Sequence, residues 1–211
     1  MHRSPPTPRR RGRPPADGAA QRDTRAALVR AGTELLTEQG FVSTGIDRLL
    51  KGLGVPKGSF YHYFESKEAF GYAVIDNYRA YFARKLDRWL LDETLAPLAR
   101  LAAFVADAKA GMARYEFRRG CLVGNLGQEL GATHDGFRDR LEATLGDWRN
   151  RLATCLEAAR AAGEIAPEAD CRRLADYFWV GWEGAVLRAK LVRSNAPIDL
   201  FAEMFFAGLP R

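Results

Sequence analysis

The chain is poor in the residues that build covalent and metal-held frameworks. Its 211 residues include three cysteines, Cys121, Cys155 and Cys171, and three histidines, His2, His62 and His134. An odd cysteine number with no CxxC pair argues against a disulfide framework or a structural zinc site. No histidine and cysteine cluster has metal-ligand spacing, so neither a metal nor another cofactor is expected. Long apolar runs are missing too. None approaches the roughly 20 residues that a membrane span requires, and no apolar stretch follows the N-terminal charges as in a secretory leader. A cytoplasmic protein working away from membranes is the expectation. Strand-like alternation and internal repeats are also absent.

What is present is a globular share of apolar residues, 47%, and an excess of positive charge, +6. The placement of that charge matters more than its size. Residues 1–22 carry Arg3, Arg9, Arg10, Arg11, Arg13 and Arg22 against Asp17 alone, which is nearly the whole excess. Pro5, Pro6, Pro8, Pro14 and Pro15 forbid a regular helix there. Residues 1–21 therefore read as a disordered basic arm, either a DNA-contacting segment or a solubilising tail.

Beyond the arm the periodicity is helical. Leu28, Gly32, Leu35 and Leu36 share a face, with Asp23 or Thr24 as a possible start and Gly40 as a stop. A short segment, 45–52, turns Ile46, Leu49, Leu50 and Leu53 inward. Gly54-Val55-Pro56 then make a tight turn into a second short helix ending at Phe64. Ser66 caps a longer helix whose inner face reads Phe70, Val74, Tyr78, Tyr81, Phe82 and Trp89. Further helices are expected over 95–112, 120–131, 134–162 and 168–193, with a last one opened by Pro197. The fold class is all-α, with an N-terminal three-helix helix-turn-helix head (22–68) and a C-terminal helical ligand-binding and dimerisation bundle (69–211).

The chemistry of the head follows from its residue types. Gly54 permits a left-handed backbone, Val55 fills the angle between the two helices, and Pro56 opens the second helix where a missing N–H costs nothing. Gly58 and Ser59 are small enough for close approach to a phosphate backbone. Phe60 and Phe64, four apart, form a core pair, leaving Tyr61, His62 and in part Tyr63 outward. Lys57, Ser59, Tyr61, His62, Tyr63 and Lys67 can then donate to phosphates and base edges of double-stranded DNA.

Gly40-Phe41, Ser43-Thr44, the run Gly54 to Phe64 and Ser66-Lys67-Glu68 together resemble the DNA-binding head of TetR-type repressors. The resemblance implies that the helix bearing Tyr61-His62-Tyr63 enters the major groove and that Lys67 grips a phosphate. Thr44 and Gly58 belong to the same DNA-contacting set. Leu50 and Leu53 stand where the family favours alanine, and Pro56 where it often has serine.

Residues 120–130 are rich in glycine, but without GxGxxG spacing or a preceding strand they are no dinucleotide site. Trp179, Glu183, Val186 and Lys190 fall on one helical face. Two charges beside indoles are costly to bury unpaired, so this face reads as a polar-lined pocket or as a solvated surface. Gly120-Cys121-Leu122-Val123-Gly124-Asn125-Leu126-Gly127-Gln128-Glu129, with Trp182-Glu183-Gly184-Ala185, resembles the subgroup of TetR-type repressors that answers acrylate and other electrophiles. That resemblance implies a sensing set of Cys121, Asn125, Trp179, Trp182, Glu183 and Lys190, with Cys121 redox-active and Lys190 able to bond to it. An ammonium beside the thiol would lower its pKa; a small buried hydrophobe is the plainer reading of Cys121. Cys155, on an apolar stripe, reads as core.

The function expected is a ligand-responsive repressor, released from a near-palindromic operator by a small α,β-unsaturated or electrophilic effector such as acrylate. The helices at 134–162 and 168–193 are expected to pair with their counterparts in a homodimer. Redox sensing through Cys121 and an architectural DNA-binding protein without effector are the alternatives. An enzyme using Cys121 with His134 lacks an orienting third group and is not expected.

Overall fold

The computed structural model describes residues 18–211; residues 1–17 of the basic arm, and the expectations attached to them, lie outside the described residues, whereas 18–21, expected as the end of the arm, are helical. Nine α-helices and no strands occur among the described residues. They are α1 (Gly18–Gln39), α2 (Ile46–Leu53), α3 (Phe60–Tyr63), α4 (Lys67–Leu90), α5 (Pro97–Arg114), α6 (Leu122–Leu130), α7 (Asp135–Ala161), α8 (Cys171–Val192) and α9 (Ala196–Ala207). None of these helices is long and apolar enough to cross a membrane.

The head is built as its residue types require. Gly54 ends α2 at φ +63, and its N–H reaches back to the carbonyls of Leu50 and Lys51, the glycine stop expected of a helix that must turn sharply. Pro56 lies one position earlier than expected, at the N-cap of a 3₁₀ turn, Lys57–Ser59, that runs directly into α3. Its ring fixes φ at −60 without removing a needed donor. Phe60 and Phe64 are buried with Phe70, their rings 5.1–5.6 Å apart. Ser66 caps α4 by accepting from the Ala69 N–H at 3.0 Å.

Three expectations need correction. Asp23 and Thr24 lie inside α1, which starts upstream at Gly18. Leu53 is 37% exposed, because the last turn of α2 clears the core before Gly54. Tyr81 is also exposed, three residues from Tyr78 and off the buried line of α4.

Helix α4 joins head to bundle, packing on α1 at one end and on α5 and α7 along its length. The bundle core is aromatic: Phe82, Phe104, Trp148, Trp179, Phe178 and Trp182 stack with centroid spacings from 4.3 to 6.5 Å. Cys155 is buried there and donates to the Pro97 carbonyl, as expected of a core thiol.

Candidate functional site

The first candidate surface is the short helix after the turn. Tyr61 is 61% exposed and His62 is exposed beside it. Tyr63 is half-buried against the core. Gly58 has open space where a side chain would be, so backbone or phosphate can approach closely. Lys57 pairs with Asp47 on α2 at 2.9 Å, both exposed, and that contact raises its pKa. Such a pair contributes little stability but aims the ammonium along the face that carries Tyr61. Lys67 lies over the Phe41 ring at 4.6 Å and donates to the Val42 carbonyl. Thr44 departs from expectation: it is 3% exposed and its hydroxyl donates inward to the Gly40 carbonyl at 2.6 Å. In this arrangement it braces the α1–α2 turn.

The second candidate is a cavity of about 510 Å³ where head meets bundle. Its wall includes Arg30, Thr33 and Thr37 of α1, and Phe82, Cys121 and Trp182 of the bundle. Two consecutive non-glycine residues at positive φ, Glu116 and Phe117, turn the chain between α5 and the Arg119-Gly120-Cys121 wall. Left-handed backbone there costs about 1–2 kcal/mol per residue, and its site beside a cavity is where such strain is usually kept.

Of the six residues expected to sense a ligand, Cys121 and Trp182 line this cavity. Trp179 does not; it is core, packed on Trp148, Phe178 and Phe104. Glu183 stands behind Cys121, with Oε1 buried and unpartnered among the described residues. Room for it comes from Gly124, where a Cβ would lie 2.1 Å from Glu183 Oε2. Burial pushes the Glu183 carboxyl up to about 7. Burial, and then the Glu183 charge, push the Cys121 thiol well above its usual range. Tyr78 is raised by burial, then by the charges of Cys121 and Glu183. The expectation of a lowered Cys121 pKa is therefore corrected: a carboxyl, not an ammonium, acts on the thiol.

Asn125 and Lys190 turn instead toward the head. Asn125 Nδ2 donates to the Thr37 carbonyl at 2.7 Å, and Lys190 Nζ to the same oxygen at 3.3 Å. Burial lowers the Lys190 pKa, partly offset by Glu38. Sequence reasoning missed the strongest link of this kind. The Glu129 carboxylate of α6 accepts the N–H groups of Phe41 and Val42, each at 2.6 Å. Gly40 makes this possible, since φ is +83 and a Cβ would lie 2.7 Å from Glu129 Oε2. Arg119 adds ion pairs to Glu34 and Glu38 of α1, both at 2.9 Å.

A helix-turn-helix head clasped to a cavity-bearing helical bundle defines a DNA-binding transcriptional regulator. Residues 28–71 match the family model for bacterial regulatory proteins of the tetR family, and residues 97–205 that for the tetracyclin repressor-like C-terminal domain. Transcriptional regulator AcuR of Cereibacter sphaeroides is 52% identical over 204 residues, 95% of this chain and 91% of that protein. The transcriptional repressor NemR of Escherichia coli is 30% identical over 85% of this chain and 90% of its own. The crystal structure of regulatory protein TetR from Rhodobacter sphaeroides superposes with a TM-score of 0.84 at 52% identity, covering 87% of this chain and 97% of that one. The chain belongs to the TetR family of helix-turn-helix transcriptional regulators.

Proposed function

We propose that this protein represses transcription as a homodimer that holds a near-palindromic operator and lets go when a small ligand fills the cavity behind its head. The head is taken as residues 22–68 and the sensing and dimerisation unit as 69–211. Tyr61 and His62 reach base edges, with Tyr63 at the margin. Lys57, Gly58, Ser59 and Lys67 meet the phosphate backbone. The observation that carries the reading is that α1, a helix of the head, forms part of the cavity wall through Arg30, Thr33 and Thr37. A ligand touching that wall touches the head itself; Asn125 and Lys190 tie the bundle to Thr37 of the same helix, and Glu129 ties it to the turn before α2. A ligand that favours one posture of α1 thereby shifts the spacing of two reading helices.

The dimer reading rests on the outer face of α8. Tyr177, Val180, Leu187 and Leu191 are exposed at helical spacing, Val180 by 77%, and Leu200 and Met204 of α9 are exposed too. Gly184, in the middle of the stripe, has open space beyond its Cα. A helix with an apolar face left in solvent beside its buried one needs a second partner, and α7 with α8 from two copies would make a four-helix interface.

Likeness to acrylate-answering repressors makes a small α,β-unsaturated compound the effector class to test. Reversible binding is favoured over covalent sensing, because the Cys121 thiol is buried and held protonated beside Glu183, and the thiolate is the reactive form. The test is a gel-shift titration on DNA upstream of the protein's own gene, with acrylate and hypochlorite as candidate inducers. Release by acrylate in both the parent and Cys121→Ala supports the reading. Release that needs Cys121 and an oxidant overturns the reversible form of it.

A further inference from the structure

The cavity is larger, and more basic at one end, than a simple unsaturated acid requires. A second cavity of about 560 Å³ adjoins it, sharing Tyr81, Arg84, Lys85, Gly111 and Tyr115. The inner end is apolar, formed by Phe82, Met112, Trp182 and Val186 around the Cys121 thiol. The outer end adds Arg88 and Arg114 to Arg84 and Lys85, with Asp107 the one carboxylate lining it.

The cations here are unevenly compensated. Lys85 is paired with Asp107 at 2.8 Å, and Arg119 with Glu34 and Glu38. Arg30, Arg84, Arg88 and Arg114 have no carboxylate within ion-pair distance among the described residues. Unpaired guanidinium groups around one groove repel one another. A single carboxylate satisfies one of them, whereas a ligand with several phosphate oxygens offers each a bidentate partner. Tyr81, exposed at the same end, offers a ring to a planar base, while Trp89 and Tyr115 lie under the guanidinium groups of Arg88 and Arg119.

We propose that the ligand of this double cavity is an acyl thioester on a phosphate-bearing carrier of the coenzyme A type, its short acyl end against Cys121 and Trp182 and its phosphates held by Arg84, Arg88 and Arg114. This rests on reading the inner cavity as the effector site. It replaces the free acid by its activated form as the physiological ligand, with no covalent step.

The experiment measures binding to the full chain by calorimetry, without DNA, for acryloyl-coenzyme A, acryloyl-pantetheine, acrylate and free coenzyme A. Acryloyl-coenzyme A is expected to bind at least about tenfold more tightly than each of the other three, a difference of about 1.4 kcal/mol. In the double variant Arg88→Ala/Arg114→Ala, at residues that line the outer end alone, that preference is lost, while acrylate affinity and the melting temperature stay at parent values. Equal affinity of parent protein for acryloyl-coenzyme A and acryloyl-pantetheine overturns the proposal, as does a preference that survives the double variant. Free coenzyme A binding as tightly as the thioester overturns the acyl half of it. Operator release is scored separately with the same four probes. Arginine-dependent thioester binding without release would leave this inference standing and sink the regulatory reading; binding and release by acrylate alone would do the reverse.

Discussion

Tyr78, Cys121 and Glu183 meet behind the cavity wall, and each holds its proton more tightly than usual because none can shed charge into water. The consequence for stability has a definite sign. Glu183 ionises near 4.5 when exposed and near 7 in the fold, so between those values the folded protein binds more protons than the unfolded chain. Through Glu183, stability therefore falls as pH rises from about 4.5 to about 7, and it falls again in the alkaline range where the Cys121 thiol and Tyr78 phenol ionise in the unfolded chain but not in the fold. Glu183→Gln removes the first of these slopes. Near pH 8 the variant is expected to be more stable by up to about 3 kcal/mol, read from urea unfolding at a series of pH values. The same burial predicts slow chemistry at sulfur: iodoacetamide should alkylate Cys121 more slowly at neutral pH than it does a free thiol. Alkylation as fast as that of a small-molecule thiol would show a thiolate that this arrangement does not favour. Sequence spacing placed Glu183 and Lys190 on one face but could not say which of them serves Cys121. Seven residues separate them, two turns or about 10 Å along the axis, so one thiol meets one of them. Gly124 decides it by leaving the space that Glu183 fills.

At the scale of elements, helix identity and the turn chemistry were legible because they are local. Gly54, Pro56 and Ser66 act within a few residues of themselves; Gly54 and Ser66 hold the positions their types demand, and Pro56 falls one residue short of its own. Ser66→Ala should cost about 1 kcal/mol through the lost cap. The clasp between α6 and the head was not legible, since Glu129 meets Phe41 and Val42 across 87–88 residues of chain, and no periodicity reports such a pairing. Removing it leaves two amides without their acceptor. Glu129→Ala is expected to lower stability by about 1–3 kcal/mol and to weaken the influence of ligand on DNA affinity. Thermal unfolding checks the first effect and ligand titration of the operator complex the second. A variant that loses stability but keeps full coupling would reduce Glu129 to a structural brace.

The fold divides α8 between two uses. Phe178, Trp182, Ala185 and Ala189 are buried within the subunit and Leu174 is half-buried, whereas Val192 in the same phase is 49% exposed. Gly181 faces Phe201 of α9, where a Cβ would lie 2.2 Å from the ring. The face left over, Tyr177, Val180, Leu187 and Leu191, is the one available for dimerisation. α8 carries two apolar stripes, and the pattern alone does not say which is spent inside. Val180→Glu/Leu187→Glu should give a folded monomer by sedimentation, with operator affinity lowered at least about tenfold, since one reading helix then binds without its symmetry mate.

If cavity and head share one equilibrium, linkage makes it measurable from the ligand side. Acrylate and acryloyl-coenzyme A are titrated calorimetrically into the free protein and into protein saturated with a short operator duplex. If the account holds, duplex weakens the effective ligand by the same factor, about 5–150-fold, by which that ligand weakens DNA binding. Identical ligand affinity with and without duplex would contradict it, because a cavity whose filling ignores bound DNA cannot govern its release.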